Sequence, residues 1–284
     1  MPTLLLSKAK DIEGFPVTRI LPQAKKRMVG PFIFIDHMGP VEFEANEGLD
    51  VKAHPHIGLA TLTYMLHGNL LHQDSLGTKI EIVPGDVNLM TAGKGIVHSE
   101  REPIADRSHA RRLEGIQCWL ALPETTANMD PAFEHIKHSA LPQYHQLDGI
   151  NMHLIAGSAF NLHSPLSNFS TMFLLDVVAA TGSRILRPNP EQECLLYLLE
   201  GSLEIDQHIF QAGQAVLLGQ EDSMLALNKV RCLLLGGEAW EKIPYIDWNF
   251  VSFSQTTIAQ AKQDWQEQRM PKIPGDSDEF IPYP

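Results

Sequence analysis

Cysteine is scarce. There are three in 284 residues, at Cys118, Cys194 and Cys232. The odd count and wide spacing exclude a disulfide framework and a CxxC metal motif. Each lies in a largely apolar run, such as Gln117-Cys118-Trp119-Leu120, and reads as a small buried hydrophobe. Basic residues are also few. Lys and Arg total 22 against 34 Asp and Glu, a net charge of −12. That balance argues against direct binding of nucleic acid, which calls for a basic face. The compact basic runs, Lys25-Lys26-Arg27 and Arg111-Arg112, are too short for binding arms and read as solvated surface. Long apolar runs are missing too. Leu4-Leu5-Leu6 is too short for a signal-peptide core, and no stretch approaches membrane-spanning length. These absences predict no membrane partner and a reducing, cytoplasmic setting, with the nucleus open in a eukaryote. Gly93-Lys94-Gly95 lacks the Ser/Thr and the spacing of a phosphate loop and reads as a tight turn.

What is present is a hydrophobic content of 44%, enough for sizeable cores. Short β-rich runs alternate with Gly and Pro: Pro31–Asp36, Thr61–Leu66, Lys79–Val83, Val87–Met90 and Ile116–Leu122. Such dense punctuation predicts an all-β sandwich or barrel, not alternating β and α units. Residues 123–146 read as a connection with one helical turn, and a second strand-rich region spans 151–237. Ile258, Ala261 and Trp265 fall at helical spacing within Thr256–Arg269, with Ser254 or Thr256 as cap. Beyond Met270 the prolines predict an extended arm over a neighbouring surface.

Two short motifs carry the chemistry. His54-Pro55-His56 and His98-Ser99-Glu100 each place two ligand-type residues one apart. In a strand, residues i and i+2 face the same side. Two such strands brought together converge three imidazoles and a carboxylate, a set that suits a mid-first-row divalent metal with coordination positions left open. A lone HxH is weak evidence; a second pair at the same spacing is far less expected by chance.

The chain also repeats itself. Leu62-Thr63-Tyr64-Met65-Leu66-His67-Gly68-Asn69-Leu70 matches Leu195-Leu196-Tyr197-Leu198-Leu199-Glu200-Gly201-Ser202-Leu203 at five of nine positions. The second copy places Arg187-Pro188-Asn189 opposite the first histidine pair, and Ala226 and Asn228 near the second. It keeps the frame and lacks every metal ligand. Two tandem barrels are expected: residues 1–125 with the metal site, and 126–284 without one, ending in the helix and arm.

These features resemble the cupin superfamily. Gly30–Met38, His54-Pro55-His56-Ile57-Gly58, Pro84-Gly85-Asp86 and Met90–Glu100 look specifically like the pirin family, densely over residues 15–122 and more thinly to Leu235-Gly236-Gly237-Glu238. The resemblance implies a bicupin, two double-stranded β-helix barrels, with Fe(II) on His54, His56, His98 and Glu100. Mn, Co, Ni, Cu and Zn are the other candidate metals. It implies a quercetin 2,3-dioxygenase, acting on a small aromatic substrate and O₂. The alternative is a non-catalytic, redox-responsive cofactor of a protein partner. Two departures stand out. Ala60 occupies the position of the usual cupin Glu, and Trp240-Glu241-Lys242-Ile243-Pro244 replaces the pirin-like segment after Glu238.

Glu100 has two open roles, metal ligand or general base toward the substrate. His37 is a candidate to line a barrel mouth, and Asp36 is a candidate to orient a neighbouring group. Phe32, Phe34, Met90 and Trp119 are expected in the core, with a pocket wall as the second reading. His67 and His72 are expected at the surface, and His135 and His138 on one helical face.

Overall fold

The computed structural model describes residues 1–12, 14–146, 149–220 and 222–284. Strands dominate, and the chain folds as two compact units. One holds Ala9–Arg19, Phe34–His138 and Lys242–Pro284; the other holds Met1–Lys8, Ile20–Ile33 and Ser139–Glu241. Sequence had divided the chain near residue 125. The physical reason for the difference is pairing. Thr3–Leu5 pairs with Ala215–Leu218, and the Glu193 carboxylate takes both Lys26 and the amide of Gly30. The C-terminal helix and arm pack instead on the strands that carry the histidine motifs.

In the motif-bearing unit, a four-stranded sheet runs in the order Asp50–His56, Ile96–Arg101, Leu70–Asp74, Lys79–Ile82. A seven-stranded sheet runs Ala132–Ile136, Val87–Thr91, Leu59–His67, Arg111–Ala121, Phe32–Phe43, Phe15–Leu21, Lys8–Ile12. The sheets meet through ring contacts: Phe133 stacks on His72 at 4.4 Å, and Trp119 meets His56 edge-on at 5.1 Å. Residues 132–136, read from sequence as part of a connection, form a strand because Phe133 and His135 pair with Met90 and Asn88. The helical turn expected there is the short 3₁₀ segment His138–Ala140.

The other unit has an eight-stranded and a four-stranded sheet. Its interior is an apolar cluster that includes Leu154, Phe173, Leu196, Leu203, Val216 and Cys232. The repeat seen in sequence is the same strand–turn–strand in both units: Leu59–His67 then Leu70–Asp74, and Glu193–Glu200 then Ser202–Ile205. The turns use Gly68 and Gly201 at φ +72° and +82°, where a Cβ would meet the carbonyl oxygens of Arg112 and Lys229 at 2.7 and 2.3 Å. Only glycine fits there. Arg187, opposite His54 in the repeat, donates to the carbonyls of Gly219 and Gln192 and serves structure. All three cysteines are buried and free. Burial pushes the Cys194 thiol up to about 12 and raises the other two as well.

The helix is Gln255–Gln266. Ser254 is its cap, accepting from the Thr257 amide at 3.4 Å. Ile258, Ala261 and Trp265 form its buried face, as their spacing predicted. They pack with Ala53, Ile57, Val97, Phe250 and Ile273. Full burial of a side chain such as Ile258 contributes roughly 1.5–3 kcal/mol. Among the described residues, no helix is long and apolar enough to cross a membrane.

Candidate metal centre

His54 and His98 face each other across an antiparallel ladder, with Val97 opposite Pro55 and Ile96 opposite His56. That register brings the two motifs together. One ligand nitrogen from each of His54, His56 and His98 lies within 4.8 Å of the others, and all three residues are buried. Among the described residues this is the one such cluster of His, Cys, Asp or Glu. The ring centroids stand 4.3 Å apart for His54 and His98, 5.1 Å for His54 and His56, and 5.0 Å for His56 and His98.

Protonation follows from the surroundings. Burial holds His56 and His98 well below the ordinary imidazole range, and the neighbouring imidazoles push the same way; the backbone at Asn249 opposes this weakly for His56. His54 Nδ1 is 2.8 Å from the Lys52 carbonyl, which can only accept, so Nδ1 carries a proton and Nε2 is the nitrogen left to act as a ligand. The Nε2 atoms of His56 and His98 lie 3.1 Å apart. Two lone pairs at that separation repel unless a proton or a cation lies between them. Two nitrogens each ~2.1 Å from one ion, at a right angle, would sit about 3.0 Å apart. His98 Nδ1 is buried without a hydrogen-bond partner. The donor set therefore fits a divalent metal that favours imidazole.

Glu100 stands next to this trio and outside it. Its buried carboxylate accepts from Gln117 Nε2 at 3.0 and 2.8 Å and from Thr63 Oγ1 at 3.2 Å. The ladder explains the offset: His98 is opposite His54, but Glu100 is opposite Val51, because an extra residue bulges the first strand between them. Bulges re-aim side chains in this way.

His72 corrects the sequence expectation. It is 3% exposed, not at the surface. Its strand pairs in regular register with Ile96–Arg101, so His72 lies opposite Glu100 and Asp74 opposite His98. The His72 ring is 5.4 Å from His98, and its Nε2 is 3.1 Å from Asp74 Oδ2. The signal was available: His72-Gln73-Asp74 has the same one-apart spacing as the two motifs.

The remaining candidates are engaged elsewhere. His37 lies within a strand and meets Glu114 Oε1 at 2.9 Å. His67 is half-exposed and meets the other oxygen of Glu114 at 3.1 Å. Asp36 receives Arg19 through two bonds of 2.9 and 2.7 Å, and burial still raises its carboxyl against that partner. His135 and His138 share no helix; His135 Nδ1 is 2.8 Å from Asn88 Oδ1 on the next strand. Phe32, Phe34, Met90 and Trp119 are buried. Phe34 stacks on Trp119 at 4.0 Å and 12°, and Arg19 caps the Phe34 ring at 4.2 Å. Trp119, edge-on to His56, thus walls the centre as well as filling the core.

Comparison with known proteins places this architecture. The Pirin family model matches residues 14–120, and the model described as the Pirin C-terminal cupin domain matches residues 174–271. The chain belongs to the pirin family. Within the cupin superfamily it is a pirin of two cupin domains with one short C-terminal helix. A pirin-like protein of Caulobacter vibrioides is 42% identical, covering 98% of this chain and 97% of its own. The crystal structure of a quercetin 2,3-dioxygenase from Acinetobacter baumannii superposes with a TM-score of 0.91 at 34% identity, covering 100% of this pirin and 94% of that chain. A bacterial pirin from Escherichia coli, solved in complex with nickel(II), shares the fold at a TM-score of 0.66 and 20% identity, covering 84% of this chain and 100% of that one.

Proposed function

We propose that this pirin is an iron(II)-dependent dioxygenase that opens the heterocycle of a flavonol such as quercetin. The reaction joins flavonol and O₂ and yields a ring-opened ester and carbon monoxide. The observation that carries the reading is the convergence of three buried histidines, two of them held neutral by that burial, beside one buried carboxylate. The likeness to the Acinetobacter quercetin 2,3-dioxygenase supports the reaction class.

His54, His56 and His98 would hold the ion. When bound, a divalent metal supplies positive charge that acidifies a hydroxyl beside it, and a path for electrons to O₂. The protein's own residues do the rest. His56 and His98, held neutral by burial, present lone pairs with no proton to displace. Glu100 accepts three hydrogen bonds beside the trio, which place its carboxylate either to take the flavonol's 3-hydroxyl proton or to join the ligands. Joining the ligands requires it to loosen from Gln117; acting as a base leaves those bonds in place while metal is bound. Trp119, backed by Phe34, excludes water from the His56 side of the centre.

The deciding experiment is O₂ uptake with quercetin by protein loaded anaerobically with iron(II), beside His98→Ala. Uptake that needs both iron and His98 is expected. Tight iron binding without uptake would overturn the dioxygenase and leave the redox-responsive partner protein as the reading.

A further inference from the structure

The arm that follows the helix reaches the back of the metal-binding strands. Asp276 lies in it, past residue 271, where the matched family domain ends. Its carboxylate accepts from Ser99 Oγ at 2.7 Å, from Gln73 Nε2 at 3.1 Å, and from Arg101 through two bonds of 2.8 Å. Ser99 sits between His98 and Glu100. Gln73 sits between His72 and Asp74, and is paired with Ser99 across the ladder. Side chains alternate faces along a strand. The donors to Asp276 are therefore the outward neighbours of the inward site residues.

The third strand is tied to the same arm. Ile281 N donates to the Ala53 carbonyl at 2.9 Å, immediately before His54, and Phe280 bridges Ala53 in parallel. Trp265 Nε1 in turn donates to the Ile281 carbonyl at 3.0 Å. Ile273 is buried with Ala53, Ile57 and Val97. Ser99 and Gln73 are themselves buried, so a missing carboxylate would leave their donors unmet, unlike an exposed ion pair that can rehydrate.

We infer that Asp276 is a positioning residue for the metal centre, fixing the strands of His72 and His98 from behind while the arm around it fixes that of His54. The inference rests on the proposed metal reading. Coupling of this kind is reciprocal: metal bound in front steadies the arm behind as much as the arm favours the metal.

Cobalt(II) alone, titrated into the metal-free full chain and followed by its visible ligand-field absorption, tests this. Outer partners of metal ligands typically set affinity by about 10–100-fold. Asp276 bonds to the neighbours of the ligands, not to the ligands, so Asp276→Asn should lose affinity at the low end of that range, about tenfold, and shift the absorption bands. Ser99→Ala should move both the same way by less, and Asp276→Glu should recover part of each. Wild-type affinity and an unchanged spectrum in a folded Asp276→Asn protein would overturn the inference. If Asp276→Asn fails to fold, the same two readouts on Ser99→Ala decide it. A wild type that takes up no cobalt would overturn the metal reading itself, and the inference with it.

Discussion

Gln117 Nε2 donates to both carboxylate oxygens of Glu100, at 3.0 and 2.8 Å. This amide, with the Thr63 hydroxyl at 3.2 Å, holds the one acidic residue of the ligand motifs beside the three histidines. Its two roles, ligand or base, differ in whether Glu100 still needs Gln117 once metal is present.

Gln117→Ala separates them. Hydrogen bonds to a charged group contribute about 1.5–3 kcal/mol. The metal-free variant should be destabilised by that order in urea unfolding. If Glu100 joins the metal, cobalt(II) gives the carboxylate a new partner and the deficit narrows. If Glu100 acts as a base, the deficit stays the same with cobalt bound.

His72→Ala addresses the histidine that the sequence hid. Asp74 Oδ2 loses its partner in that variant, though Asp74 Oδ1 still accepts from the Leu76 and Thr78 amides at 2.9 and 3.0 Å. The Phe133 ring loses its stacking neighbour as well. A loss of about 1–3 kcal/mol is expected for the unmet buried acceptor alone. Stability equal to wild type in chemical denaturation would show that His72 is dispensable to packing.

How much was legible depended on range. The alternation in His54-Pro55-His56 and His98-Ser99-Glu100 was enough to name the trio, since strand geometry needs no tertiary information. The bulge that lowers Glu100 to the level of Val51 left no mark in composition, so the carboxylate was grouped with the histidines it stands beside. His72 is expected at the surface because it follows the turn at Gly68-Asn69. The turn there is tight, and the strand resumes at Leu70. Gln117 passed as one polar residue in a core strand. Asp276 was invisible because its partners Gln73, Ser99 and Arg101 lie far away in sequence. By contrast, the helix was plain from Ile258, Ala261 and Trp265, whose spacing is local.

Glu114 sets an acid limit. Burial alone would raise its carboxyl, but hydrogen bonds from His37 and Arg112 outweigh that and hold it at about 2, against an ordinary 4.5. The folded state then binds fewer protons at Glu114 than the unfolded chain does. Its contribution to stability is complete above about pH 4.5 and is lost as pH falls toward 2. Glu114→Gln should be less stable than wild type at neutral pH, and the gap should close across that window. A gap constant from pH 6 to 2.5 in acid-titrated denaturant curves would refute the assignment.

Trp119 offers an optical probe of the same centre. Its ring lies 5.1 Å from His56 and 4.0 Å from Phe34, and its Nε1 is buried without a hydrogen-bond partner. An unmet buried donor costs about 1–3 kcal/mol. Trp119→Phe removes that cost along with part of the apolar contact, so the two changes oppose each other and stability should move little. The chain has four tryptophans, and Trp248 and Trp265 belong to the cluster around the helix and arm. A paramagnetic ion on His54, His56 and His98 would sit beside the Trp119 indole, which is in contact with His56. Cobalt(II) should therefore quench the fluorescence of the wild type, and Trp119→Phe should lose most of that quenching while binding cobalt as tightly. Undiminished quenching in the variant would mean that the ion binds somewhere other than the three histidines.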